Sequence, residues 1–228
     1  LVASMATRTR ANIAWFSISD GRLPGGPLLV RAAAITSNAL DQYSFDLEVV
    51  RGDQLERHPV HLGLMGAHQV PNAAAGAAMA IAAGVEPRHV ADALTAATTR
   101  SHWRMELHTL NSGAAIINDA YNANPDSVLA ALESLSRVGL RRKAEFPGAR
   151  TIAVIGDMLE LGEGAQELHR QIGRDAGERG IDEVVAVGEH AAHIVAGALE
   201  AGVAARVCAK AEVAGSLDLH QGDVVLVK

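Results

Sequence analysis

A chain of 228 residues, 49% of them hydrophobic and 20% charged, has the composition of a folded protein of one or two domains, which excludes the disordered and low-complexity classes. A net charge of −6 and an aromatic content of 3% exclude a basic nucleic-acid footprint and a base-stacking platform. The single cysteine, Cys208, excludes a disulfide framework and thiolate metal clusters, and without a leader pattern or an apolar run near ~18 residues the chain is expected to be cytoplasmic.

The first sixty residues alternate β-branched or apolar stretches with turn residues. Strands are expected at Ile13 to Ile18, Val30 to Ile35, Tyr43 to Val50 and His58 to Leu64, joined as hairpins through Asp20-Gly21, Leu23-Pro24-Gly25-Gly26-Pro27 and Arg51-Gly52-Asp53. From Asn72 to Ala83 the sequence turns Ala-rich and helical, stops at Gly84, and resumes as a second helix from Glu86-Pro87 to about Ala97. Thr98 to Met105 has no period and reads as a connector between two domains, residues 1–100 and 101–228.

Beyond the connector, strand and helix alternate. Strands fall at Ala114 to Ile117, Thr151 to Ile155, Glu183 to Val187 and Val224 to Val227, and helices at Pro125 to Val138, Ala165 to Arg179 and His190 to Ala201. Arg141-Arg142-Lys143 with Pro147-Gly148 reads as a solvated loop. Repeated βα units predict an α/β fold with a mainly parallel sheet, whose ligands bind beyond the carboxyl ends of the strands. Chemistry is therefore expected in the loops after Ile117, Ile155 and Val187.

The first of these loops runs from Asp119 to Ser127. Asn124 and Pro125 suit a helix N-cap and first turn, but Asp119, Tyr121, Asn122 and Asn124 also concentrate hydrogen-bonding groups that can read a ribose or a purine edge. Gly66-Ala67-His68-Gln69-Val70-Pro71-Asn72 is a second strand-to-helix loop, with Asn72 expected to start the helix, and it serves equally as a cap. Arg104, in the connector, offers a planar cation suited to phosphate, or a surface arginine. Asp157, Glu160 and Glu163 precede a helix, where carboxylates either serve as acid and base or complement the helix dipole. His190 and His193 sit at helical spacing, whereas His58 and His61, three apart on a strand, point to opposite faces and make a poor ligand pair; neither set is expected to hold a metal. No glycine precedes Lys143, Lys210 or Lys228, so the chain holds no phosphate-gripping Gly-Lys-Ser/Thr loop.

Asp119-Ala120-Tyr121-Asn122-Ala123-Asn124-Pro125-Asp126-Ser127, preceded by Trp103-Arg104-Met105-Glu106 and followed by Val154-Ile155-Gly156-Asp157-Met158-Leu159-Glu160-Leu161-Gly162, closely resembles the Mur ligases. Gly66 to Asn72, Gly180-Ile181-Asp182 and Gly222 to Lys228 continue the resemblance in order, and within the family it points to the ligase that joins D-Ala-D-Ala to UDP-MurNAc-tripeptide. The resemblance implies that residues 1–100 are the last part of a central ATPase domain and residues 101–228 a Rossmann-like C-terminal domain. With Leu rather than Met at its first position, the chain is then expected to be an incomplete and inactive portion, the P-loop and the Mg2+ ligands lying upstream. The resemblance also implies ATP contacts, with His68 and Asn72 at the adenine, Asp119 at the ribose and Arg104 near the phosphates, while Tyr121, Asn122 and Asn124 shape the same cleft between the domains. Asp157, Glu160 and Lys228 would face the incoming dipeptide. The alternatives are another Mur ligase or folylpolyglutamate synthase, and a nucleotide-binding module without turnover.

Overall fold

The computed structural model describes residues 2–19, 26–98 and 102–228; the turn expected at Asp20-Gly21 and Leu23-Pro24-Gly25, and residues 99–101 of the connector, lie outside them. The chain divides into two compact units, Leu1–Thr98 and Thr99–Lys228. Among the described residues no helix is long and apolar enough to cross a membrane.

The first unit is a four-stranded sheet of β1 (Ala14–Ser17), β2 (Leu28–Ser37), β3 (Gln42–Arg51) and β4 (Gln54–Met65), in that order. β2, β3 and β4 are antiparallel neighbours, and the tight turn at Gly52 (φ +60°) fits the expected Arg51-Gly52-Asp53 hairpin. β1 departs from the expectation. It pairs parallel to β2, with Ala14 opposite Leu28, so these two strands are not a hairpin. Alternate residues Val30 and Ala32, Phe45, Leu47 and Val49, and Val60 and Leu62 are buried together with α1 (Gln69–Ala82) and α2 (Pro87–Thr95), as expected for a sheet covered on one face. On α1, Val70, Ala73, Ala74, Ala77, Ala78 and Ile81 make the buried stripe at helical spacing. Asn72 does not start this helix. Gln69 does, three residues earlier, because Pro71 needs no backbone donor in a first turn and so does not block the helix from beginning before it.

The second unit is a six-stranded sheet in the order β5 (Glu106–Thr109), β6 (Ala115–Asn118), β10 (Val224–Val227), β7 (Thr151–Ile155), β8 (Glu183–Ala186) and β9 (Ala204–Val207). Only the edge strand β5 runs antiparallel. All five residues of β7 are buried, which requires cover on both faces; one cover is α3 (Pro125–Glu145), packed on β7 and β10. α4 (Ala165–Glu178) lies against α5 (Ala191–Glu200), which packs on β8 and β9. The edge strands β5 and β9 have no counterpart among the sequence expectations. Ala204-Ala205-Arg206-Val207 is too short and too rich in alanine to show a period.

Arg141-Arg142-Lys143 is not a loop, because α3 runs seven residues beyond Val138 to Glu145. Arg142 lies over the Phe146 ring and donates to the Gly113 and Gly222 carbonyls, while Lys143 pairs with Asp182 at 2.7 Å. Tertiary contacts and the favourable placement of cations at a helix C-terminus hold these last turns helical.

Candidate functional site

Parallel strands present their carboxyl ends on one edge of the second unit, and a cavity of about 570 Å³ opens there. The ends of β6, β10, β7 and β8 all contribute. Ala120 to Ala123 follow β6, Gly156, Asp157 and Leu159 follow β7, Val187 and Gly188 follow β8, and Val227 and Lys228 belong to the end of β10. The three loops singled out by the strand pattern therefore share one cavity. Two of its lining residues, Lys210 and Val213, come from a 3-10 turn (Lys210–Glu212) and a one-turn helix (Val213–Ser216) that sequence reasoning missed as site elements. The scarcity of lysine, three in the chain, was the signal available for Lys210.

Asp119 and Lys228 meet. The Lys228 ammonium, on a side chain only 3% exposed, stands 2.5 Å from one Asp119 oxygen, and the other oxygen accepts from the Met105 amide at 3.1 Å. A carboxylate has about four lone-pair directions, so these two partners fix the group and leave acceptor capacity. Arg104 is exposed, with its guanidinium 4.2 Å from the Tyr121 ring centroid, and the Tyr121 amide donates to the Trp103 carbonyl. Trp103 (φ +63°) and Met105 (φ +50°) flank Arg104 in the left-handed region, a conformation costly for side chains this large. The strained turn clamps Arg104 against the loop that follows β6.

Asn124 caps α3. Its side-chain oxygen accepts from the Ser127 amide at 2.9 Å, and the Ser127 hydroxyl accepts from the Asn124 amide at 3.1 Å, a reciprocal capping box next to Pro125 in the first turn. Tyr121 and Asn122 line the cavity, whereas Asn124 does not.

The loop after β7 is anchored twice. The Asp157 carboxylate accepts from the Glu189 and His190 amides at 2.8 and 2.9 Å, and a Cβ on Gly188 (φ +108°) would collide with that carboxylate. His169, fully buried on α4, accepts from the Met158 amide through Nε2 at 2.9 Å, and its Nδ1 lies 2.6 Å from the Ala165 carbonyl oxygen. Those partners require the neutral imidazole with its proton on Nδ1. Burial, assisted by His190 and His193, holds the pKa of His169 below its ordinary value despite Asp157 and the Ala165 bond. Glu160 is exposed at φ +62° and is not part of the cavity wall.

His68 and Asn72 belong to the first unit, where His68 is partly buried at the N-terminus of α1 and the Asn72 amide donates to the Gln69 side chain at 3.3 Å. Among the described residues no three His, Cys, Asp or Glu side chains come together as a metal site.

Residues 103–228 match the family model described as Mur ligase, glutamate ligase domain. Over 247 aligned positions the chain is 35% identical to the UDP-N-acetylmuramoyl-tripeptide–D-alanyl-D-alanine ligase of Mycobacterium tuberculosis, with 100% of this chain and 46% of that protein covered. It is 36% identical over 137 residues to the ligase of the same name from Bacillus subtilis, covering 60% of this chain and 28% of the other. Among solved structures, the UDP-N-acetylmuramoylalanyl-D-glutamyl-2,6-diaminopimelate–D-alanyl-D-alanyl ligase of Acinetobacter baumannii superposes with a TM-score of 0.67 at 26% identity, over 90% of this chain and 41% of that one. The chain thus spans about half the length, or less, of the curated relatives it matches.

Proposed function

The chain belongs to the Mur ligase family, and on that premise we propose that it is part of an ATP-dependent ligase that joins D-Ala-D-Ala to UDP-MurNAc-tripeptide in peptidoglycan synthesis. The observation that carries this reading is the cavity at the strand ends. It is lined by Ala120 to Ala123 of the Asp119-to-Ser127 motif and walled by valine and leucine side chains of a size that suits a peptide with methyl side chains.

A carboxylate resists attack by an amine until one of its oxygens becomes a good leaving group, and ATP supplies the phosphoryl group that makes it one. The tripeptide's terminal carboxylate then reacts as an acyl phosphate. The dipeptide's unprotonated amine attacks the carbonyl carbon, the C–N bond forms, the nitrogen gives up a proton to solvent, and the tetrahedral intermediate releases phosphate as the C–O bond breaks. The chain's own residues bind and orient. In this proposal His68 and Asn72 contact the adenine, Asp119 accepts from the ribose with the lone pairs left by Met105 and Lys228, and Arg104, steadied by Tyr121, sits near the phosphates. Asn122 shapes that site directly, and Asn124 shapes it by fixing the start of α3. Asp157, Glu160 and Lys228 stand toward the dipeptide, Asp157 by setting the loop that walls the cavity. Mg2+ and the phosphate-gripping loop are assigned to polypeptide outside these residues, and the chain alone is proposed to be inactive. The UDP-linked substrate and ATP assign the reaction to the cytoplasm.

The test is a substrate panel on the full-length protein. Amide formation and ADP release should both require D-Ala-D-Ala together with UDP-MurNAc-tripeptide. Turnover with a different amino acid and none with D-Ala-D-Ala overturns the reading in favour of another member of the family. Asp119→Ala should raise the KM for ATP by an amount equivalent to roughly 1–3 kcal/mol, and unchanged ATP kinetics would remove Asp119 from the nucleotide site.

A further inference from the structure

The charged groups around the cavity are unequally committed. Lys228 is held by Asp119 at 2.5 Å, and the Asp157 carboxylate is taken up by two backbone amides of the β8–α5 loop. Lys210 is the other cation on the wall, it is exposed, and among the described residues no carboxylate pairs with its ammonium. The same cavity carries apolar side chains, with Val213 three residues on and Val154, Leu159, Val187 and Val227 from the strand ends and their loops.

A dipeptide of two alanines enters such a space as a zwitterion. Its methyl groups suit the valine and leucine surface, and its amine must face the activated carbonyl. The carboxylate at its other end, about 7 Å away in an extended chain, cannot be left unpaired beside apolar side chains without a large desolvation cost. We propose that Lys210 binds the terminal carboxylate of the incoming dipeptide and thereby selects for a free acid at that end. This rests on the functional reading above and adds a specificity-determining residue to it. Lys228, buried and neutralised, holds the Asp119 side of the site, while Lys210 supplies the charge that remains available.

Steady-state kinetics of the full-length enzyme with D-Ala-D-Ala and with D-alanyl-D-alaninamide, which lacks the carboxylate charge, test this directly. The wild type should prefer the acid, and Lys210→Gln should lower kcat/KM for D-Ala-D-Ala by ~10- to 100-fold, chiefly through KM, the range expected when a charged hydrogen bond is lost. The KM for ATP and the melting temperature should not move, since Lys210 is exposed, and Lys210→Arg should restore much of the preference. The decisive readout is the acid-to-amide ratio, which should collapse toward one in Lys210→Gln. Turnover of D-Ala-D-Ala with an unchanged ratio in that variant overturns the role of Lys210 alone. Absence of any turnover of D-Ala-D-Ala by the wild type overturns both the functional reading and this inference.

Discussion

Both units lay helices on a sheet, yet they use glycine in opposite ways. In the first unit Gly76 sits in the middle of α1 with nothing within 4 Å of where a Cβ would stand. In the second, Gly173 and Gly177 on α4 face α5 so closely that a methyl group at Gly173 would strike the Ile194 carbonyl, and one at Gly197 on α5 would strike the Arg170 carbonyl of α4. In one helix glycine is only a loss of helical propensity; in the other it is the condition for two backbones to touch. A helix contact made through backbone atoms has no side chain that can swing aside, so the second unit is the less tolerant of change.

The largest effect should come from testing that contact. Gly197→Ala should destabilise the second unit by about 3 kcal/mol, the upper end of the usual overpacking cost, because the obstacle is backbone. Denaturant titration measures the loss, and amide exchange should show β7 and β8 opening faster while β3 and β4 keep their protection. Equal loosening of both sheets would erase the contrast between the units.

A smaller effect separates the units by pH. Because His169 has a lower pKa folded than unfolded, the unfolded chain binds more protons in the interval between the two values, and stability rises with pH there. Its contribution is complete above the ordinary value of 6.5 and is lost as pH falls through the depressed folded value. Protonation removes the Nε2 acceptor from the Met158 amide, with Asp157, His190 and His193 as the neighbouring titratable groups. The exchange protection of β7 and β8 should therefore fall on acidification below pH 6.5, more steeply than in His169→Gln, whose uncharged side chain keeps an acceptor. Parallel pH curves for the two proteins would remove His169 from the account. The smallest change should be a gain, since Gly76→Ala fills open space in a helix and should add about 0.5–1 kcal/mol to the first unit. A loss measured by thermal unfolding would mean that α1 is packed more tightly than its surroundings show.

Much of the second unit was legible because its signals are local. The Ile152–Ile155 run is continuous and apolar because both faces of the strand are covered, and Asn124-Pro125 announces the start of α3 with the very atoms that cap it. The Asp119–Lys228 pair was not legible, because it joins side chains 109 residues apart and depends on β10 lying next to β6. The end of α3 was misread for a related reason. Arg141-Arg142-Lys143 looks solvated until Gly113, Gly222 and Asp182 are brought beside it. Asn72 was displaced from the helix start by the latitude of a proline in a first turn, which sequence alone leaves undecided.

The position of β10 reaches into how the protein is made. This strand, the latest in chain order, lies at the centre of its sheet between β6 and β7. During synthesis the residues of β5 to β9 leave the ribosome before residues 224–227, so neither β6 nor β7 can pair with β10 until those residues are translated, and any sheet formed earlier has bare edges there. Exposed edges of this kind invite pairing with other nascent chains. Assembly of the sheet is therefore a late step with large sequence separation, and it should be slow compared with the formation of α3 or α4.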